Sequence, residues 1–464
     1  AYPGEFPSNV TDLYTTFKSD NASRQGVVYI GANDGMLHAF EAATGEELFA
    51  YVPSLVFNNL SELTKPDYSH RFYVDSTPSI NDIFMVKDGD SSKSWNSVLV
   101  GGLGHGGKGY YALNITDPSD FNTETNAAAN VMWEFSEADD GSIGNSDLGY
   151  TYSEPLLVMS NAEYADGEKK WVAIFGNGYN NTSSDGDAAI YILFIEAGQD
   201  GVWTAGSDYI KISTGYGKAE SSDGTTPNGI GAVRGIDIDG DGTVDRLYAG
   251  DLQGNLYRID LTSTNASDWD DASSRNIIFK ARYGSPGART TVQPITTRPI
   301  VVNHPTEPGY IVITATGSWM TSDDATSTDI QSIYGIWDNN TGYEVTMPSA
   351  DKQLVGQVFT NQLVKEHGFT VRSLSNNAVN WKDNGSSNSL VMGWYIDFDM
   401  PPAGSNSGVE YPGERAVRNL QLRGDFLFVN SVIPKSSNPC NFGAGGFELA
   451  FNPVTGGSGS KIIF

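Results

Sequence analysis

The strongest restriction on how this chain folds is a two-stranded unit that recurs along it. An alternating apolar strand ends in glycine, a turn follows, and a second, aromatic-rich strand closes on Asp, Asn or Gly. The units run VVYIGANDGMLHAFEAATG (Val27 to Gly45), VLVGGLGHGGKGYYALNITDP (Val98 to Pro118), WVAIFGNGYNN with AAIYILFIEAG (Trp171 to Gly198), RLYAGDLQGNLYRIDLTST (Arg246 to Thr264), YIVITATGSWM with SIYGIWDNNTG (Tyr310 to Gly342), LVMGWYIDFDMP (Leu390 to Pro401) and FLFVNSVIP with GGFELAFNPVTGG (Phe426 to Gly457). A hairpin that cannot bury its face alone, repeated several times, is what a β-propeller needs. The first five units begin roughly 65 to 75 residues apart, against about 40 to 50 for an ordinary blade, so each blade carries an inserted loop. The seven units predict a β-propeller with long inserted loops, formed as a single domain over residues 1–464. An open β-sandwich is the alternative.

Composition agrees with short strands and tight turns. There are 52 Gly and 20 Pro, only 39% apolar residues, and 23 Tyr with 21 Phe. Sustained helical periodicity is missing, so the chain reads as all-β. Polar stretches such as Ser136 to Asp147, Tyr216 to Gly229 and Lys382 to Ser389 read as loops on a rigid scaffold, where binding functions usually sit.

Charge excludes one class of partner. With 56 acidic and 28 basic residues the net charge is −28, so a phosphate backbone or an anionic bilayer is repelled, and nucleic acid is not expected as a partner. Direct membrane insertion is not expected either, because no run of 18 or more apolar residues exists. The start, AYPGEFPSNV, is neither a basic n-region nor an apolar h-region, and reads as a mature or excised piece. Cys440 is the one cysteine, which forbids an internal disulfide and a Cys-based zinc cluster.

The densest chemical signal is DIDGDGTVD. Asp237, Asp239, Asp241 and Asp245 occupy positions 1, 3, 5 and 9 of a tight loop; Thr243 at position 7 offers its backbone carbonyl, and Gly242 at position 6 supplies the sharp turn. Hard oxygen ligands in this number suit Ca²⁺. The loop departs from an EF-hand, since Tyr248 stands where a bidentate Glu would be and strands flank it. Its D-x-D-x-D-G-x-x-D pattern is that of calcium loops in hairpins, and the bland alternative is a solvated acidic turn.

Other motifs carry less. Gly102, Gly107 and Lys108 have phosphate-loop spacing, but Gly109 replaces the Ser or Thr and a strand follows instead of a helix. Asp90, Ser92 and Ser94 have the order of an adhesive metal site, yet the context reads strand, turn, strand. Arg423, Gly424 and Asp425 spell RGD, directly ahead of the run FLFVNSVI, and read as a turn leading into a strand. The histidines (His38, His70, His105, His304, His367) show no ligand spacing, and no H-E-x-x-H or G-x-S-x-G occurs, so no catalytic residues are expected.

Together, RQGVVYIGANDGMLHAFEAATGEELFAYVPS, FYVDSTPSINDIF, LVGGLGHGGKGYYALNITDP, LGYTYSEPLLV, FGNGYNN, QPITTRPIVV, ATGSWM, QSIYGIWDN and the DIDGDGTVD region resemble the C-terminal propeller of the PilY/PilC family. These are type IV pilus tip adhesins and biogenesis factors of Gram-negative bacteria. The resemblance implies a modified seven-bladed propeller outside the cell, at the pilus tip or on the outer-membrane-associated surface. It also implies a calcium site on Asp237, Asp239, Asp241, Thr243 and Asp245. Calcium occupancy would then tune pilus extension against retraction, twitching motility and surface attachment. Minor pilins or other pilus components are the implied partners, with a host or abiotic surface as a further one. The family's N-terminal adhesive region is not part of this sequence.

Two other classes compete. YIGANDGMLHAFEAATGEEL also looks like the repeat of quinoprotein dehydrogenase propellers, which bind pyrroloquinoline quinone beside Ca²⁺; those enzymes commonly use a vicinal disulfide, and one cysteine forbids it. A sugar-binding propeller would use loop tryptophans such as Trp319, Trp337 and Trp381, residues that elsewhere pack blades.

Overall fold

The computed structural model describes residues 8–141, 143–284, 288–341, 344–345, 354–366, 369–381, 391–402, 408–434 and 445–459. Cys440, His367 and the loop 382–389 lie outside them. The chain divides into two compact units, residues 1–247 with 259–275 and residues 248–258 with 276–464.

In the first unit the strands form successive sheets, antiparallel except where Thr243–Val244 joins the third in parallel. The first holds Val27–Gly31, Leu37–Glu41 and Glu47–Tyr51; the second holds Ser79–Met85, Ser94–Gly102, Gly109–Asn114 and Val131–Ser136. The third runs, from one edge, Tyr209–Ser213, Ala189–Phe194, Lys169–Gly176 and Leu156–Glu163, and ends on Thr243–Val244.

Strand alternation explains how these sheets stack. On the second sheet Val98, Val100, Tyr110 and Ala112 point into one core with Phe175 and Tyr191 of the third. The residues between them, Leu99, Tyr111 and Leu113, point the other way, into a core with Leu37 of the first. Both faces are therefore covered, and VLVGG and YYALN read as continuous apolar runs because every second residue serves a different interface. Rings make the second contact: Tyr110 stacks on Phe175 at 3.8 Å, and Phe135 meets Tyr191 at 5.8 Å and Tyr209 at 5.2 Å.

Two glycines of the repeat have a steric reason. A Cβ at Gly101 would meet the Tyr111 ring on the paired strand at 2.5 Å, and one at Gly335 would meet the Trp394 ring at 2.3 Å. In each pair the strand gives up a side chain to seat an aromatic ring across it.

The second unit holds a five-stranded sheet in the order Ile300–Asn303, Tyr310–Ala315, Ser332–Asp338, Gly393–Asp397, Leu354–Gln357, with the last two parallel. It also holds the antiparallel sheet Gln421–Arg423, Phe426–Asn430 and Glu448–Phe451. Buried charges are paired: Arg372 with Glu414, and Arg289 with Asp397 at 3.1 Å.

One expectation is corrected. The stretch Leu390 to Pro401 is not a hairpin of its own: among the described residues it supplies one strand, Gly393–Asp397, which pairs with Ser332–Asp338 of the preceding unit. Its apolar pattern fixes a strand but not the sheet that strand joins. The chain is mostly β, as its pattern predicts, with the helix Ser8–Asp20 ahead of the first strand. That helix packs on the core through Tyr14 and Phe17; the Tyr14 ring lies 4.4 Å from that of Trp95, tilted 46° to it, and its hydroxyl donates to Asp82 at 3.1 Å.

Candidate metal centre

All residues of the acidic loop lie in the first unit. Strand Ile230–Ile236 leads in, Thr243–Val244 leads out, and alternate aspartates wind the chain between them. Asp237 accepts from the backbone N–H of Gly240 at 2.7 Å on Oδ1 and of Gly242 at 2.9 Å on Oδ2. Asp239 Oδ1 accepts from Asp241 N at 3.2 Å. Asp241 Oδ1 accepts from Thr243 N at 2.8 Å and from Thr243 Oγ1 at 2.6 Å. Short carboxylates capturing N–H groups two to five residues on are what coil this segment. Gly240 and Gly242, at φ +84° and +88°, make the two left-handed steps that other residues adopt at a cost.

The coil brings carboxylate oxygens of Asp237, Asp239 and Asp245 within 4.8 Å of one another. Asp237 and Asp239 are exposed and Asp245 is 5% exposed, so the cluster has a buried floor and an open rim. Calcium–oxygen distances of 2.3–2.6 Å let oxygens on opposite sides of one ion stand about 5 Å apart, so a single cation can touch all three. The donor set, hard anionic oxygen throughout, fits a divalent cation of that class, whose charge offsets the mutual repulsion of the carboxylates. Asp241 is not in this group; its carboxylate turns to Thr243. Thr243 is 1% exposed and lies in the strand that leaves the loop.

Asp245 is the most constrained member. Its backbone N–H donates to Ile236 O at 2.9 Å, and its carbonyl accepts from Leu261 N at 2.7 Å. Of its carboxylate oxygens, Oδ2 accepts from Ile238 N at 2.7 Å and Oδ1 from Asn161 Nδ2 at 3.0 Å. Asn161 carries no local signal of this role, because it stands 84 residues earlier in the chain.

The competing motifs resolve as turns and packing. Gly101 to Gly109 joins two antiparallel strands, and Lys108 is 3.4 Å from Glu137. Asp90 and Ser92 lie in the turn between Ser79–Met85 and Ser94–Gly102. Arg423, Gly424 and Asp425 sit at an exposed two-residue hairpin turn, with Gly424 at φ +58°. Of the tryptophans, Trp337 and Trp381 are buried around His304, with ring separations of 4.4 Å and 4.6 Å, and only Trp319 is exposed, at 41%. These three do not form a shared sugar platform. His304 is buried, and that burial lowers its pKa.

The chain is similar to known proteins over nearly its whole length. The family model described as "PilY1 beta-propeller domain" matches residues 5–375. A type IV pilus biogenesis factor PilY1 of Pseudomonas aeruginosa is 34% identical over 484 aligned residues, covering 97% of this chain and 38% of its own. A PilY1 homolog of Xylella fastidiosa is 32% identical over 470, covering 97% and 28%. The chain thus spans about a third of the length of these relatives. The crystal structure of the Pseudomonas aeruginosa PilY1 C-terminal domain superposes with a TM-score of 0.70 at 30% identity, covering 98% of this chain and 86% of that one. The chain belongs to the PilY1 β-propeller family of type IV pilus biogenesis factors, a family of pilus proteins and not of enzymes.

Proposed function

We propose that this chain is a calcium-binding domain of a type IV pilus biogenesis factor and tip adhesin, with the ion held by the Asp237 to Asp245 loop. The supporting observation is the convergence of Asp237, Asp239 and Asp245 in a chain of this family. In this reading Asp241 and the backbone carbonyl of Thr243 complete the shell, and residues 1–464 form one seven-bladed propeller. The domain acts outside the cell, at the pilus tip or outer-membrane-associated surface. Its partners are minor pilins, and a host or abiotic surface. Occupancy of the loop regulates extension against retraction, and through it twitching motility and attachment. By linkage, the ion shifts that balance only by the difference in its affinity for the two states.

Calorimetric titration of Ca²⁺ into the wild-type chain and Asp239→Ala tests the site. One site in the wild type, and a loss of at least tenfold in affinity in the variant, is the expected result; equal affinities would remove the loop from consideration. The regulatory half is tested by placing Asp239→Ala in the full-length protein. Loss or mis-timing of twitching is expected, whereas wild-type piliation and twitching by a variant that no longer binds calcium would refute it.

A further inference from the structure

The loop is not an isolated coil. Thr243–Val244 pairs in parallel with Leu156–Glu163, Thr243 opposite Met159 and Val244 opposite Ser160. Just past this contact Leu156–Glu163 bulges away from its other neighbour, since the pairing jumps from Met159 opposite Trp171 to Glu163 opposite Lys169. Bulges re-aim side chains, and this one holds Asn161. Asn161 is 7% exposed; it donates to Asp245 Oδ1 at 3.0 Å and Val244 O at 3.2 Å, and accepts from Thr243 Oγ1 at 3.0 Å. Its own carbonyl accepts from Lys169 Nζ at 3.3 Å, and Ser160 Oγ donates to Lys170 O at 2.9 Å, which pins the bulge in place.

Two of these bonds meet the proposed ligands directly. Asn161 engages one oxygen of Asp245 and leaves lone pairs free for a cation, so it fixes the carboxylate's orientation without occupying it. Thr243 Oγ1 has a single proton and two acceptors in range, Asp241 Oδ1 at 2.6 Å and Asn161 Oδ1 at 3.0 Å. Whatever draws the Asp241 carboxylate toward a cation releases that proton to Asn161.

We propose that Asn161 is the positioning residue of the cation loop, and that it couples ion occupancy to the bulged strand Leu156–Glu163. This rests on reading the loop as a Ca²⁺ site. Ion binding withdraws Asp241 from Thr243, the Thr243 hydroxyl turns to Asn161, and the loop and strand are tied more firmly than before. The sheet that carries this strand thereby senses the ion.

The test compares the wild-type chain with Asn161→Ala, Asn161→Leu, Thr243→Val and Asp239→Ala. Ca²⁺ affinity is measured by calorimetry, the melting temperature in chelator separately, and amide hydrogen exchange across 156–163 with and without Ca²⁺. Removing such an outer partner of a metal ligand typically costs about 10–100-fold in affinity, which is the loss expected for both Asn161 variants. Calcium is expected to slow exchange across 156–163 in the wild type and to slow it less in the Asn161 variants and Thr243→Val. A lower melting temperature in chelator with unchanged affinity would show a merely structural asparagine and overturn the positioning role. Wild-type protein that binds calcium with no change in exchange at 156–163 would overturn the coupling, whether or not any variant folds. If Asp239→Ala binds as well as wild type, the site reading itself has failed, a result distinct from both.

Discussion

Gly242 and Gly240 have little in the way of a larger side chain. A Cβ at Gly242 would find Met159 Cε at an ordinary 3.6 Å, and one at Gly240 nothing within 4 Å. Their cost of substitution is therefore conformational, set by φ near +85°. Gly242→Ala is expected to destabilise the chelated protein by about 1–2 kcal/mol, measured by urea unfolding, and to weaken calcium binding along with it. Asp399 gives a second test, remote from the loop in sequence. Burial, and then the neighbouring Asp397, push its pKa from 3.8 up to about 6. A carboxyl raised in the folded state contributes stability that is full below the unfolded value of 3.8 and lost as pH rises through about 6. Asp399→Asn is expected to raise the melting temperature at pH 7.5 and to leave it nearly unchanged at pH 3.5. At this scale the acidic loop was legible, because alternate Asp with Gly at position 6 is a local code. Asn161 was not, since its partnership depends on a strand pairing 84 residues away.

Between strands, side chains act as staples. His38, on Leu37–Glu41, places Nε2 2.9 Å from Asp34 of the preceding turn and Nδ1 2.5 Å from Glu47 of Glu47–Tyr51. The hydrogen bond to Glu47, with that to Asp34 and both charges, outweighs burial and raises its pKa above 6.5. The contribution is present below pH 6.5 and lost as pH rises through the folded value, so the wild type should melt lower at pH 8.5 than at pH 5.5 by more than His38→Gln does. A parallel loss in both proteins would show that other groups carry the slope. Elements were well marked where hairpins are local: Val27 to Gly45 and Val98 to Pro118 fold as antiparallel pairs, as their pattern predicts. Gly393–Asp397 was misassigned because its partner, Ser332–Asp338, lies more than a loop away and no period in sequence records that register. The helix Ser8–Asp20 carries the apolar spacing of Val10, Leu13, Tyr14 and Phe17, but over only about two turns, which is too brief to stand out as sustained periodicity in a strand-rich chain.

For the whole molecule, a charge of −28 repels itself, and any salt screens that repulsion. Diffuse acidity and a built site therefore predict different calcium responses. At matched ionic strength, calcium is expected to raise the wild-type melting temperature further than sodium does, and to saturate; Asp239→Ala should show only the salt effect. Equal responses in both proteins would assign the stabilisation to diffuse charge. Scanning fluorimetry over a calcium series decides it.

The strand Leu156–Glu163 has eight residues, and on its outer side the described sheet offers it just two, Thr243 and Val244. The rest of that edge is closed by packing, with Leu157, Met159, Ser160, Asn161 and Ala162 buried and Asn81 Nδ2 donating to Leu157 O at 2.8 Å. The cation loop is thus one of several covers on this strand. Unwinding it would uncover the backbone of Met159 and Ser160, the two positions it pairs, and leave the rest of the edge shielded by side chains.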